Sequence, residues 1–205
     1  MNPLFDMIEA NFPNVITYKT YERQEVIFLE QASCKAVGFI IKGKMHIQTF
    51  GCGEDPYIIQ TLNTGDTFGE TLLFSNEATY LGVGIALDKI KIAYVGRGDL
   101  LRIMQESSLF LRNYLLVMAE KSILHQMRLK VLLQKTIRDK ILFSLHEQAK
   151  TQGSLTVRTP TKEAWAAYLN IPRPSLSREL IVMRDEGLLK LDRFYVTLLK
   201  EVSNI

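Results

Sequence analysis

The chain has 205 residues, 47% of them apolar, which is enough for two packed domains. No apolar run approaches the ~20 residues that a membrane helix needs. The first stretch, MNPLFDMIEANFPN, has acids and a proline where a signal peptide has a basic region and then an apolar one. We therefore expect a cytoplasmic protein without a membrane segment, in which Cys34 and Cys52 are free thiols.

The formal net charge of +3 is unevenly divided along the chain. Residues 1–120 carry 10 Lys/Arg against 14 Asp/Glu, a net −4, and residues 121–205 carry 15 against 8, a net +7. Because Lys and Arg neutralise phosphates in nucleic-acid complexes, the basic part indicates a polyanionic partner. The alternative is a solvated basic face that binds nothing.

Residues 15–95 form a succession of short β-type runs separated by Gly, Asn and Asp turns, which predicts a small barrel or sandwich. Within it, the stretch DTFGETLLFSNEATYLG places Gly69 and Glu70 in a glycine-bent loop. A carboxylate there suits a hydroxyl or amine of a ligand, whereas a phosphate would need a cation. The next notable side chains along the loop are Tyr80 and Leu81, neither of which is cationic.

Residues 108–135 contain no glycine or proline and predict a helix of ~42 Å. The helix is apolar on more than one side, so one stripe can cover the barrel and another can pack on a second copy of the chain. A buried core helix is the alternative, and the length favours a homodimer. We assign the dimer helix the stripe Phe110, Tyr114, Val117, Leu124 and Val131.

A second helix is expected over residues 137–150, and the stretch from residue 159 to residue 199 then predicts two short helices and a hairpin. Pro160 and Thr161 open the first helix, Asn170-Ile171-Pro172 ends it, and the next begins near Arg173. This arrangement is a helix-turn-helix with a β-hairpin wing, whose second helix fits the DNA major groove. The predicted DNA-binding residues are Arg173, Ser175, Ser177 and Arg178.

A β-rich sensor, a long helix and a winged helix-turn-helix, in that order, resemble the Crp/Fnr family of bacterial transcription regulators. Two motifs carry the resemblance: Gly-Asp-x-Phe-Gly-Glu at residues 65–70 is similar to the family's cyclic-nucleotide loop, and Arg-Pro-Ser-Leu-Ser-Arg at 173–178 resembles the start of its recognition helix. The resemblance implies an α+β chain with a β-roll (jelly-roll) sensor in residues 1–107, a dimerisation helix in 108–135 and a winged helix-turn-helix in 136–205. It also implies a near-palindromic DNA operator and RNA polymerase as partners. Pro174 stands where the family commonly has a base-reading glutamate, so a different operator is expected.

In the sensor, the resemblance implies that Glu70 binds a ribose hydroxyl and that an Arg-Ser pair holds the cyclic phosphate. Tyr80 and Leu81 occupy those two positions, which disfavours cyclic AMP because the charge-assisted contact is lost. His125 and Gln126 stand where the family faces the nucleobase. The candidate effector pocket is thus Gly69, Glu70, Tyr80, Leu81, His125 and Gln126, for an unidentified small molecule.

Other chemistries have little support in the sequence. Two cysteines cannot hold a four-cysteine iron–sulfur cluster, and no group of ligands has zinc spacing. His46, His125 and His146 could serve as haem ligands and Cys34 with Cys52 as a redox pair, but the sequence gives no context for either. We find no nucleophile and base at motif spacing and no P-loop, so no catalytic or metal site is expected and the chain is not predicted to be an enzyme. The alternative to a DNA-binding regulator is a ligand-sensing or scaffolding module that acts through protein contacts.

Overall fold

The computed structural model describes residues 2–50 and 56–199. The chain divides into two compact units, residues 1–120 and 121–205. The division falls where the net charge changes sign, so the first unit carries −4 and the second +7. It lies within the long helix, whereas the sequence places the first domain boundary at residue 107.

The first unit is a β-roll of two antiparallel four-stranded sheets, preceded by helix α1 (Pro3–Asn11) and a 3-10 turn (Pro13–Val15). Its strands are β1 (Ile16–Tyr21), β2 (Val26–Phe28), β3 (Ala36–Lys42), β4 (Lys44–Phe50), β5 (Pro56–Asn63), β6 (Thr67–Phe68), β7 (Val83–Ala86) and β8 (Ile90–Gly96). One sheet has the order β1-β8-β3-β6 and the other β2-β7-β4-β5. The six β-type runs of the sequence each contain a strand, and the two-residue β6 is too short to show a period.

The core of the first unit lies between the two sheets and under helices α1 and α2 (Arg97–Glu106). Alternation sets the inner faces near the start of β4 and of β8: Met45 and Ile92 are fully buried, while their neighbours Lys44 and Lys91 face solvent. Asn2 caps α1 by accepting hydrogen bonds from the amides of Leu4 and Phe5. The interior therefore fits a sheet sandwich with apolar residues inside.

Helix α3 (Ser108–Leu132) begins where the sequence predicts and ends three residues before Lys135. The chain turns there because Thr136 caps helix α4 (Ile137–Gln152). The Thr136 hydroxyl accepts from the Asp139 amide at 3.0 Å, and the Asp139 carboxylate accepts from the Thr136 amide at 3.3 Å. This capping box starts a new helix instead of extending α3.

The second unit consists of the end of α3, helix α4, strand β9 (Thr156–Arg158), helices α5 (Lys162–Leu169) and α6 (Arg173–Asp185), and strands β10 (Leu189–Leu191) and β11 (Tyr195–Leu198). Its three strands form an antiparallel sheet in the order β10-β11-β9. Trp165 is 2% exposed, and its indole N–H donates to the Ser144 hydroxyl at 3.2 Å. The predicted fold class is confirmed: α+β, with a β-roll, a long helix and a winged helix-turn-helix.

Candidate functional site

Helices α5 and α6 are joined by a three-residue turn with a left-handed residue at its start. Thr161 caps α5 through a hydrogen bond from the Ala164 amide, and Asn170 ends it with φ 53°. Asparagine tolerates this conformation better than most residues. The Ile171 amide donates back to the Ala166 carbonyl at 3.0 Å, which satisfies the end of α5. The turn thereby sets α6 at a defined angle to α5.

One face of α6 is fully buried. Leu176, Leu180 and Met183 are at most 2% exposed and pack with Trp165 and Leu169 of α5. The spacing i, i+4 and i+7 places the three residues on one side of the helix, as the sequence predicts. This packing consequently fixes the direction in which the opposite side of α6 faces.

The predicted DNA-binding residues lie at the start of α6. Arg173 and Arg178 are exposed, and Ser175 and Ser177 are partly buried beside them. Arg178 is nearly opposite the buried face, because it lies two residues from Leu176 and two from Leu180, a rotation of about 160° from each around the helix axis. This arrangement places two guanidinium groups and two hydroxyl groups at the start of α6, with Arg178 on the side away from the core.

An exposed isoleucine on the same face was not predicted. Ile181 is 45% exposed and follows Arg178 by three residues, which places the two side chains next to each other. An apolar side chain beside an arginine can contact a thymine methyl group in the major groove. The exposure of Ile181 could have been predicted from the sequence, because Ile181 lies outside the buried stripe of Leu176, Leu180 and Met183.

Helix α6 is connected to α4 by ion pairs between one arginine and two glutamates. The Arg138 Nε lies 2.7 Å from an oxygen of Glu179 in α6, and its terminal nitrogens reach Glu186 at 2.9 and 3.0 Å. The carboxylates of Glu186 and Glu179 raise the pKa of Arg138 above its ordinary value. The guanidinium therefore stays charged and holds α6 against α4.

A cleft of about 780 Å³ lies between the wing and the start of α5. Its lining includes three cations, Arg158, Lys162 and Arg193, and one acid, Asp192, above an apolar floor that includes Trp165. Arg193 lies in the turn between β10 and β11, with its guanidinium 5.1 Å from the centre of the Phe194 ring. These cations are suited to phosphate contact, and sequence reasoning found them only as part of the excess positive charge.

In the first unit, the predicted sensor loop bends at Gly69. This residue has φ 81°, and a Cβ there would lie 2.9 Å from the Cys34 sulfur and 3.0 Å from the Ala36 carbonyl oxygen, so the position requires glycine. Glu70 is 7% exposed. The Tyr114 hydroxyl of α3 donates to the Glu70 carbonyl at 2.9 Å in a buried position. The loop is thus fastened to the long helix through its backbone.

Tyr80 lies inside the β-roll. It is 9% exposed, and its ring stacks on Phe28 with centroids 3.8 Å apart and planes 13° apart. Burial first, and then a hydrogen bond with the Cys34 thiol, raises the pKa of Tyr80 above its ordinary value, so the phenol is neutral at physiological pH. Leu81 is 72% exposed, and its place in an effector pocket remains a prediction. The two positions of the phosphate clamp therefore hold a buried neutral ring and a solvent-facing leucine.

The nearby lysines do not replace the missing cation. Lys44, Lys89 and Lys91 are all exposed on the outside of the roll. Lys89 forms an ion pair with Glu22 at 2.6 Å, and the Lys91 amine lies 4.5 Å from the centre of the Tyr18 ring. None of these exposed lysines therefore supplies a buried cation beside Glu70.

His125 and Gln126 are exposed on α3. Both belong to the second unit, whereas Gly69, Glu70 and Tyr80 belong to the first. The structure brings Gly69 and Tyr80 together, since the Tyr80 hydroxyl would lie 3.8 Å from a Cβ at Gly69. The placement of His125 and Gln126 in an effector pocket remains a prediction.

The stripe assigned to the dimer helix needs correction. Phe110 and Tyr114 are at most 5% exposed in the core of the first unit, Val117 packs against the same core, and Val131 is 1% exposed in the core of the second unit. Only Leu124 among the five faces solvent, at 66%. Periodicity located the stripe but could not decide which of two apolar faces covers the protomer's own core.

The side of α3 about 100° around the helix axis from this buried stripe carries exposed apolar residues. Leu109, Leu116 and Ile123 recur every seven residues and are 56–59% exposed. A seven-residue repeat keeps side chains on one line along paired helices. This heptad face (Leu109, Leu116 and Ile123) is one exposed apolar surface of α3, and Leu111, Leu115, Leu124 and Leu129 are exposed as well.

Metal and redox chemistry find little support. In residues 2–50 and 56–199, no group of three or more His, Cys, Asp and Glu side chains is placed to hold a metal ion. Cys34 is a free, buried cysteine, and burial raises the pKa of its thiol, which disfavours the reactive thiolate. Cys52 lies outside the described residues. Nor does any helix in those ranges have the length and apolar content to cross a membrane.

Comparison with known proteins agrees with this architecture. Residues 18–107 match the family model described as the cyclic nucleotide-binding domain. A search of curated proteins gave no match.

Among solved structures, a CooA mutant from Carboxydothermus hydrogenoformans matches with a TM-score of 0.68 at 15% identity, over 98% of this chain and 92% of that one. The c-di-GMP responsive global regulator CLP from Xanthomonas campestris matches with a TM-score of 0.59 at 16% identity, over 96% and 100% of the two chains. The Catabolite Activator Protein of Thermus thermophilus gives 0.54 at 19%, over 97% and 91%. At these identities the likeness is one of fold, and it extends over nearly the whole chain.

Proposed function

We propose that this chain is a homodimeric, sequence-specific DNA-binding transcription regulator. It combines a cyclic nucleotide-binding domain with the fold of the Crp/Fnr transcription regulators. The observation that carries this proposal is the exposed face of α6, where Arg178 is held opposite a fully buried stripe. Arginine in the major groove pairs bidentately with guanine. The net +7 of residues 121–205 supports the same conclusion through phosphate attraction.

Dimerisation is proposed through the heptad face of α3. Three large apolar side chains more than half exposed on one line are costly to leave in water, and a second copy of the same helix covers them. A two-fold dimer would present two α6 helices to two half-sites of a near-palindromic operator, about 34 Å apart.

The sensor is proposed to respond to a small molecule that does not use the usual phosphate clamp. Tyr80 is neutral, buried and stacked on Phe28, so a cyclic phosphodiester entering there would lose its counter-charge. The domain family keeps a cyclic nucleotide among the candidates, and the residues disfavour cyclic AMP. We also propose contact with RNA polymerase, which rests on the family resemblance. A cytoplasmic location and the lack of enzymatic activity are proposed from the composition and motifs of the sequence.

Selection of operators from random duplexes tests the function. We expect the wild-type protein to enrich a near-palindromic sequence and to bind it with strong salt dependence. Arg178→Ala is expected to weaken binding to that operator by about tenfold or more while leaving non-specific binding nearly unchanged. The matched control is Arg184→Ala, because Arg184 lies at the far end of α6 in an ion pair with Asp185 at 2.7 Å.

Two results would count against the proposal. One is a wild-type protein that enriches no sequence, and the other is an Arg178→Ala variant that keeps wild-type preference. Either would favour the alternative, a sensing or scaffolding module that acts through protein contacts.

A further inference from the structure

The first residue of the recognition helix is held by an acid from the neighbouring helix. The Nε atom of Arg173 lies 2.7 Å from Oε1 of Glu163, which is in the first turn of α5. The pair joins the starts of both helices of the helix-turn-helix. Both side chains are accessible, with 61% of Arg173 and 63% of Glu163 exposed. The ion pair therefore stands at the surface that the proposed function assigns to DNA.

Helix electrostatics explain why an acid is useful at this point. Backbone amides at a helix start carry partial positive charge, so Glu163 is favourable in the first turn of α5. Arg173 is the first residue of α6 and is unfavourable there for the same reason, and its N-cap, Pro172, makes no side-chain hydrogen bond. The carboxylate of Glu163 offsets this repulsion and keeps the guanidinium near the start of α6.

The exposure of Arg173 leaves its guanidinium accessible. A guanidinium has five N–H donors, one on Nε and four on the two terminal nitrogens. Glu163 approaches from the Nε side and 61% of Arg173 is exposed, so a guanine can approach the terminal nitrogens with its O6 and N7. A free arginine of this length samples many rotamers, whereas a paired one loses less freedom on binding.

We infer that Glu163 is a positioning residue for base recognition: it holds Arg173 so that the terminal nitrogens face one guanine of the operator. This inference rests on the proposed function. It assigns Glu163 a role in sequence discrimination that differs from its effect on overall affinity. As an acid near phosphates, Glu163 weakens non-specific binding, yet as a partner of Arg173 it sharpens the choice of base.

The two effects separate in an experiment with a charge-matched control. Glu163→Gln and Asp185→Asn each remove one negative charge from a side chain of similar exposure, 63% and 62%, that is paired with an arginine. Asp185 lies at the far end of α6. Dissociation constants are measured on the selected operator, on operators with each guanine replaced in turn, and on a random duplex, with thermal melts to confirm folding.

Both variants are expected to bind the random duplex slightly more tightly. Only Glu163→Gln should reduce the preference for guanine, at the same position as Arg173→Ala and by about fivefold or more. In the Arg173→Ala background, Glu163→Gln should have no further effect on preference. Glu163→Asp, which keeps the charge, should fall between wild type and Glu163→Gln.

A Glu163→Gln variant that folds and keeps the wild-type preference at every guanine would overturn the inference and leave the proposed function standing. A loss of base preference in Glu163→Gln that equals the loss in Asp185→Asn would also overturn the inference, because the effect would then be one of charge alone. A wild-type protein with no base preference would instead overturn the proposed function and this inference with it.

Discussion

At the residue scale, Tyr80 is the side chain on which the proposal about the effector depends most. The position that should hold a cation for the phosphate holds an aromatic ring in the interior of the roll, stacked on Phe28 and 6.5 Å from the Phe68 ring centre. Such aromatic contacts add about 0.5–1.5 kcal/mol each beyond the area they bury. Tyr80 therefore belongs to the core of the first unit as well as to the sensor loop.

This dual position predicts a large loss of stability in Tyr80→Ala. Removing a buried aromatic side chain costs about 3–5 kcal/mol through lost burial and the cavity left behind. We expect the free energy of unfolding of the first unit to fall by about 3 kcal/mol, measured by urea unfolding followed by circular dichroism.

The adjacent residue provides the control for Tyr80→Ala. Leu81→Ala removes a side chain that is 72% exposed and should change stability by no more than about 0.5 kcal/mol. Equal losses in the two variants would contradict the burial of Tyr80.

The sequence was informative about which residues carry chemistry and less informative about which way they point. It identified Gly69, Glu70 and Tyr80 as one loop, and alternation did not reveal that Tyr80 turns inward while Leu81 turns out. Similarly, Arg173 and Arg178 could be found from the motif. The ion pair of Arg173 with Glu163 could not be found, because it depends on the angle between two helices.

At the element scale, α3 has two apolar faces with different tasks. Phe110 and Tyr114 cover the roll, whereas Leu116 and Ile123 remain exposed. Both faces satisfy the same helical period, so only the packed structure distinguishes them. The prediction of a dimerising helix thus remains a proposal, with its contact surface moved from the buried stripe to the neighbouring heptad face.

The heptad face predicts that Leu116→Glu disrupts the dimer. Two carboxylates facing each other across a helix pair would repel and lose their hydration, so the variant should elute as a monomer at micromolar concentration. Light scattering coupled to size-exclusion chromatography measures the mass directly. Leu155→Glu, at a 44% exposed leucine outside α3, should leave the mass unchanged. A dimeric Leu116→Glu variant would exclude this face as the contact.

The cleft between the wing and α5 predicts a separate effect on DNA binding. Lys162→Ala or Arg193→Ala should weaken binding to all sequences alike and make the slope of log K against log salt less steep by about 1 per protomer. Fluorescence anisotropy over a salt series measures the slope. A change in base preference without a change in slope would show that these residues read bases instead of phosphates.

At the scale of the whole molecule, the acidic and basic charges coincide with the two compact units. An acidic sensor unit repels DNA, while the basic unit attracts it, so the charge distribution favours one mode of approach. The order of the units, and the presence of a winged helix-turn-helix after the long helix, could be predicted from the sequence because each has its own period and turn residues.

The whole chain is also the level at which cyclic AMP can be tested. A ligand that binds only the native state must stabilise it. We expect no measurable rise in melting temperature at micromolar cyclic AMP, because Tyr80 replaces the cation and the exposed lysines point away. A clear rise under those conditions would contradict this prediction, with the cyclic nucleotide-binding protein of a related organism as the positive control.

The stacking of Tyr80 on Phe28 has a consequence for the concentration at which any effector could act. A molecule that enters the roll at this point must bind the minority of molecules in which the ring has moved aside. Its apparent dissociation constant equals the intrinsic one divided by that open fraction. A stacking contribution of about 0.5–1.5 kcal/mol alone makes the apparent affinity about 3- to 14-fold weaker. The ring would therefore raise, by this factor, the effector concentration at which half of the sites are occupied.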